Sequence, residues 1–243
     1  MGVLNIRYDT PMTDTVKPRN YDSPLRRQQA AATRELILEA AQRRFEHDGY
    51  QAASVPAIAA EASVSPKTVH MVFHTKAGLL RAVWEARLAA DEAAIPVFER
   101  RWFRDLVAEP SPEGKLRRMA RQSREVKGRS GDLMEVIRNA AAVDSQIAQL
   151  WYDIESKLLS VQRAVVGQLD AIGALRQDLV AESATDVLWT LNHPSLWHLL
   201  VRGRGWTPEQ YEHWIGDAFC SELLEGWQRE RVRPAPGGQP LPR

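Results

Sequence analysis

The sequence predicts an all-α fold, and three observations carry that prediction. Almost every apolar segment between residues 33 and 227 repeats at three- and four-residue spacing, the period of one helix face. No period-two segment longer than four residues occurs, so no half-buried strand is expected. Ser54, Ser65, Thr75 and Thr207 each stand just ahead of such a segment, where a side-chain oxygen caps free backbone N–H groups.

Taken in order, the first helix is expected from Thr33, read as its cap, to about His47, with Ile37, Ala41 and Phe45 on one face and Gly49 as its stop. Ser54 caps a short second helix, Val55 to Glu61. Ser65 caps a third, with Pro66 at the first helical position, where a missing N–H costs nothing. Thr75 caps a fourth helix that runs to roughly Ala93 and breaks near Pro96. Further helices are expected near 96–107, 113–127, 132–143, 145–172, 181–192, 195–202 and 208–227, separated by EPSPEG, GRSG, Gly173, HPS and GRG. The last opens on Thr207-Pro208 with Gln210 as the reciprocal partner of a capping box. Residues 1–25, with Pro11, Pro18 and Pro24, read as a flexible arm. Residues 233–243, RPAPGGQPLPR, read as a flexible tail.

Composition narrows the class. In 243 residues, 32 Lys and Arg face 31 Asp and Glu, which excludes a polycation or an acidic tail protein. The single Cys220 excludes an internal disulfide framework. The chain has neither a signal-like N-terminus nor an apolar run of spanning length, so a cytoplasmic location is expected. The near-neutral total conceals an asymmetry. Residues 1–84 hold 11 basic and 8 acidic side chains, residues 85–243 hold 21 and 23, and positions 62–84 carry Lys67, Lys76 and Arg81 with no acid.

That acid-free stretch overlaps a helix-turn-helix. Two short helices flank the three-residue turn Ala62-Ser63-Val64 and must pack at a steep angle. Ala59 allows the close approach, and Ile58, Val64, Val69 and Val72 point inward. Lys67, Thr68, His70 and Met71 are left outward, on a helix of the kind that enters a major groove N-terminus first. Lys67 can donate to guanine O6 or N7, Thr68 can bond a base or phosphate, and Met71 can touch a thymine methyl. The fourth helix offers free N–H groups and Lys76 as a phosphate clamp. Arg26 and Arg27 fit either an arm reaching a minor groove or a merely charged lead-in.

The run TRELILEAAQRRFEHDGYQAASVPAIAAEASVSPKTVHMVFHTKAGLL resembles the N-terminal DNA-binding domain of the TetR family of transcriptional regulators. The matching positions are Ala40-Ala41, Phe45, Gly49-Tyr50, Ser54, Ile58-Ala59, Val64-Ser65, Thr68-Val69, Phe73, Thr75-Lys76 and Leu79. Three positions depart from the family pattern: His70 replaces a phosphate-contacting tyrosine, Val72 a common His or Tyr, and Ser63 the turn glycine. Toward the other end, ATDVLWTLNHPSLWHLLVRGRGWTPEQYEHWIGDAF is similar to the closing helices of many members.

The resemblance implies an N-terminal three-helix helix-turn-helix DNA-binding domain, residues 26–80, and a larger helical ligand-binding and dimerisation domain, residues 81–232. It implies DNA contacts from Thr33, Arg34, Ser54, Val55, Ser65, Pro66, Lys67, Thr68, His70, Met71, His74 and Lys76. It further implies a homodimer that binds a palindromic DNA operator and is released by a small-molecule effector, acting as a repressor. The alternatives are an activator of the same fold and a helical small-molecule-binding protein without DNA activity. Trp151, Tyr152, Trp189, His193 and Trp197 are candidates for an effector pocket, with core packing as the competing reading. Tyr211, Trp214, Ile215, Ala218, Phe219 and Leu223 form the candidate dimer face.

Other features read as structural. Lys115, Arg117, Arg118, Arg121, Arg124, Lys127 and Arg129 read as the solvated face of a helix whose inward stripe is Leu116, Met119, Ala120, Ser123 and Val126. Cys220 reads as a small buried hydrophobe. No phosphate loop, dinucleotide fingerprint, zinc-protease motif or nucleophile elbow is present, so no catalytic residue and no cofactor is expected. The pairs His70/His74 and Glu209/His213 have helical ligand spacing but no third ligand, so no metal is expected.

Overall fold

The computed structural model describes residues 24–92 and 95–227, apart from the side chains of Leu25 and of residues 89–92. The tail from 233, most of the proposed arm and the Ala93 terminus of the fourth helix lie outside the described residues. The fold is all-α. Among the described residues ten α-helices follow one another: α1 (Pro24–Ala52), α2 (Val55–Glu61), α3 (Pro66–Phe73), α4 (Lys76–Glu92), α5 (Arg101–Ala108), α6 (Pro112–Ala140), α7 (Ser145–Ala171), α8 (Ala181–Leu191), α9 (Pro194–Trp197) and α10 (Pro208–Leu223). Among the described residues no strand occurs, only an isolated antiparallel bridge between Leu175 and Leu224.

The caps act as their chemistry requires. Ser54 Oγ accepts from Ala57 N at 3.2 Å, Ser65 Oγ from Thr68 N at 3.1 Å, and Thr75 Oγ1 from Gly78 N at 2.8 Å. Thr207 and Gln210 form the reciprocal capping box that opens α10. Gly49, at φ 74°, ends the straight part of α1 and redirects the chain so that Tyr50 turns inward.

Five expected boundaries are corrected. Thr33 is not a cap, because α1 begins nine residues earlier; the intervening Arg, Gln and Ala residues are strong helix formers with nothing to stop them. GRSG does not break the chain. Gly128 and Gly131 lie inside the continuous α6, and a Cβ on Gly131 would sit 2.9 Å from Trp197 Cδ1, so the glycine makes room for the indole. Expected helix 96–107 divides into a short 3-10 turn, Val97–Glu99, and α5; expected helix 195–202 divides into α9 and a π-helical segment, His198–Gly203. Finally, α10 stops at Leu223. The chain leaves it extended, and Arg176 N donates to Leu223 O at 3.0 Å, which ties the end of α10 to the loop before α8.

Two apolar cores result. The first joins α1–α4 to the end of α6 and the start of α7: Ile37, Phe45, Ile58, Phe73 and Leu80 pack in one cluster with Leu133, Ile137, Ile147 and Ile154. The second joins α5, the start of α6, the end of α7, α8 and α10, around Leu116, Val165, Leu188, Tyr211 and Phe219. The long helices α6 and α7 belong to both.

Candidate functional site

The outward face of α3 is exposed as expected. Lys67, His70, Met71 and His74 are exposed, and Val69 and Phe73 are buried beneath them. Met71 is 67% exposed, an apolar side chain that the fold itself does not use. Thr68 Oγ1 lies 2.9 Å from Ser65 Oγ, so its hydroxyl is oriented by the cap. The His70 ring nitrogen Nδ1 lies 3.3 Å from His74 O. Ser54 and Val55 stand at the start of α2 and Pro66 at the start of α3. Thr33 and Arg34 lie within α1, where the Arg34 guanidinium covers the Phe73 ring at 4.7 Å.

The backbone holds α3 under tension at both ends. Ser63 in the turn has φ 56° and His74 after the helix has φ 62°; among the described residues these are the two non-glycine positions with positive φ. A serine therefore carries the left-handed conformation where the family pattern has glycine. Behind α3, a Cβ on Gly78 would run into the carbonyl oxygen of Phe73, so α4 meets the end of α3 in a close approach only glycine permits.

Lys76 is placed differently from a free phosphate clamp. Its ammonium lies over the Tyr50 ring at 4.4 Å and donates to Gln51 O at 3.2 Å. Burial pulls its pKa below the ordinary lysine value. The same Tyr50 donates its hydroxyl to Asp144 Oδ2 at 2.6 Å. Asp144 in turn caps α7 by accepting from Gln146 N and Ile147 N. Thr75 Oγ1 donates to Gln146 Oε1 at 3.3 Å. The helix-turn-helix is thus pinned to the α6–α7 corner.

A cavity of about 520 Å3 opens between α4, α6 and α7, beside the 95–102 segment. Trp84 and Leu88 of α4 form one wall, so one helix runs from the Gly78–Phe73 contact to the cavity. Lys127, Ser123, Gln162 and Asn192 supply buried polar groups to the lining. Lys127 Nζ donates to Asn192 O at 2.8 Å, Asn192 Oδ1 at 2.9 Å and Tyr211 Oη at 2.8 Å.

The aromatic candidates for a pocket lie elsewhere. Trp151 and Trp189 both pack edgewise on His193, Tyr152 is 65% exposed, and Trp197 is buried against Tyr211. None of the five is among the described cavity-lining residues. The candidate dimer face is also corrected in part. Tyr211, Ile215, Phe219 and Leu223 are 0% exposed within one chain, so they belong to its own core and have no surface left for a partner. Trp214 and Ala218 remain partly exposed.

The basic stretch on α6 divides as well. Lys115 and Lys127 are buried, not solvated: Lys115 Nζ donates to Leu106 O and Val107 O at the end of α5. Arg117 pairs with Asp217 at 2.9 Å and Arg124 with Glu212, so these arginines fasten α6 to α10. Lys127 was detectable, because Met119, Ser123 and Lys127 continue one i, i+4 stripe. Among basic neighbours that stripe is easily read as solvent-facing. Cys220 is fully buried, and burial pushes its thiol pKa up to about 12.

Among the described residues no group of three His, Cys, Asp or Glu side chains could hold a metal ion, and no helix is long and apolar enough to cross a membrane.

Residues 37–83 match the family described as bacterial regulatory proteins, tetR family. No curated protein matches the chain. Solved structures share the fold at low identity. One from Mesorhizobium loti MAFF303099, described as a TetR-family transcriptional regulator, is 20% identical, with 81% of this chain and 99% of that one covered and a TM-score of 0.61. A transcriptional regulator from Saccharomonospora viridis, solved in complex with choline, is 18% identical over 80% of this chain and 99% of its own, with a TM-score of 0.62. NalD, the secondary repressor of the MexAB-OprM multidrug efflux pump in Pseudomonas aeruginosa, is 15% identical over 82% and 100%, with a TM-score of 0.60.

Proposed function

Because residues 37–83 match the tetR family of bacterial regulatory proteins, we propose that the chain is a DNA-binding transcriptional regulator of that family, a cytoplasmic homodimeric repressor released by a small-molecule effector. The observation that carries the DNA-reading role is the α3 face: Lys67, His70 and Met71 project from a helix whose surroundings, residues 62–84, contain no acid. That face suits base edges in a major groove, with Ser54, Val55, Ser65, Pro66, Thr68, His74 and Lys76 around it and Thr33 and Arg34 behind. Two such faces on a twofold axis call for half-sites about 35 Å apart, hence a palindromic operator.

Dimerisation is assigned to α8 and the outer face of α10. Trp214 and Ala218 retain surface there, and the nearby Val180 and Leu199 are 68% and 58% exposed. The effector is assigned to the 520 Å3 cavity, because α4 joins its wall to the base of α3. An effector that prefers one α4 position by about 1–3 kcal/mol changes operator affinity some 5- to 150-fold. NalD is a repressor and the S. viridis protein was solved with choline, and both share this fold.

Selection of bound duplexes from a random pool, followed by titration against salt, tests the reading. A palindromic site is expected, with log affinity falling steeply as log salt rises. Indifference to DNA at low salt would leave a helical small-molecule binder instead.

A further inference from the structure

The cavity carries more chemical information than its volume. Among the described residues lining it, Arg100, Lys127 and Lys157 are cationic and none is acidic. Lys127 is the exceptional member. It is 5% exposed, and all three of its acceptors are neutral: a backbone carbonyl, an amide oxygen and a phenol. A buried ammonium without a carboxylate is an uncompensated charge, and burial alone drives its pKa well below the usual lysine value.

The donors also converge. Ser123 Oγ, at 2.6 Å, and Lys127 Nζ, at 2.9 Å, both donate to one atom, Asn192 Oδ1. A carboxylate oxygen within reach of the same two donors could accept from both in place of that amide oxygen. Most of the remaining lining is apolar, with Trp84, Leu88, Val97, Ile154, Leu158 and Val161 among it, interrupted by Arg100, Lys157 and the polar Gln122 and Ser160. One polar end with a cation and a long apolar body describe an amphipathic anion.

We infer that the cavity binds an amphipathic carboxylate, its headgroup between Lys127 and Ser123 and its apolar body against α4 and α7. The inference rests on the effector role assigned to this cavity above. It adds a charge preference: anionic ligands over neutral ones, and neutral ones over cations.

Three probes with a shared ten-carbon tail isolate that preference: decanoate, decanol and decyltrimethylammonium, titrated calorimetrically into the full chain at neutral pH. Decanoate is expected to bind about tenfold or more tightly than decanol, because its negative charge accepts from Lys127 and Ser123 and stabilises the protonated form of Lys127 that burial disfavours, and the quaternary ammonium most weakly. Equal affinity for acid and alcohol, or tightest binding of the cation, would overturn the inference. Lys127→Met should bring decanoate down to the level of decanol, and retained discrimination in that variant would overturn the assignment to Lys127. The comparison of headgroups on the unaltered protein stands even if the variant does not fold. Binding of a mixed-sequence duplex at low salt, measured on the same preparation, separates the two readings. Duplex binding without a decanoate advantage overturns this inference alone; a decanoate advantage without duplex binding supports it and removes the regulator reading.

Discussion

The hydroxyl of Tyr50 donates to Asp144 Oδ2 at 2.6 Å across 94 residues of sequence. One partner ends the first helix of the reading segment, and the other caps α7 of the larger domain. The contact therefore joins the two halves of the molecule. Tyr50→Phe should lower stability by about 1–2 kcal/mol, read as a reduced urea midpoint with an unchanged slope. In a double-mutant cycle with Asp144→Asn the losses should not add, because both variants remove the same bond. Full additivity would show that the two groups are not coupled.

The same carboxylate sets an acid limit. Its pKa is held below the usual Asp value, first by the Tyr50 hydroxyl and then by the backbone N–H groups of Gln146 and Ile147. A folded pKa lower than the unfolded one gives stability that is present above about 3.9, the unfolded value, and lost as pH falls through the lower folded value. The unaltered protein should therefore lose stability more steeply than Asp144→Asn between about pH 5 and pH 2. Parallel curves from urea midpoints across that range would refute the assignment.

Ser63 holds φ 56° in the turn without glycine's freedom. Ser63→Gly should raise stability by about 1 kcal/mol, since the left-handed conformation costs a β-carbon roughly 1–2 kcal/mol. The gain should appear in thermal or urea unfolding and leave operator affinity unchanged.

Gly131 faces the Trp197 indole, with Nε1 3.0 Å from where a Cβ would stand. Gly131→Ala should destabilise by about 1–3 kcal/mol despite alanine's better helix propensity, because overpacking outweighs it. A stabilised variant would show that the indole moves freely.

Lys67 and Lys76 should separate under salt titration. Lys67→Ala should reduce the salt slope by about 1 if it meets a phosphate, or relax preference at one base position if it meets a guanine. Lys76→Ala should chiefly lower stability, because its ammonium already serves Gln51 O and the Tyr50 ring. A larger change of slope for Lys76 than for Lys67 would mean that it turns outward on DNA.

The reading segment was the most legible part of the sequence. Serine and threonine caps, proline at the first helical position and small residues at the turn are local signals, and local signals survive in a single sequence. Where the outcome depended on a distant partner, legibility failed. GRSG reads as a break until Trp197 is seen lying on it, some 66 positions away. Lys127 reads as solvated until Asn192 and Tyr211 surround it. Leu223 reads as interface because an apolar helix face does not reveal whether its own chain or another covers it.

The continuity of the first core limits what can be cut or transplanted. Residues 24–92 bury Ile58, Leu79 and Trp84 in a cluster completed by Leu133, Ile137 and Ile154, so the segment has no closed interior of its own. Severed after α4, it would present a greasy flank to water and need a surrogate for the α6–α7 hairpin. Chimeras that exchange reading specificity should carry that hairpin with them, because the unit of inheritance here is larger than the unit of recognition.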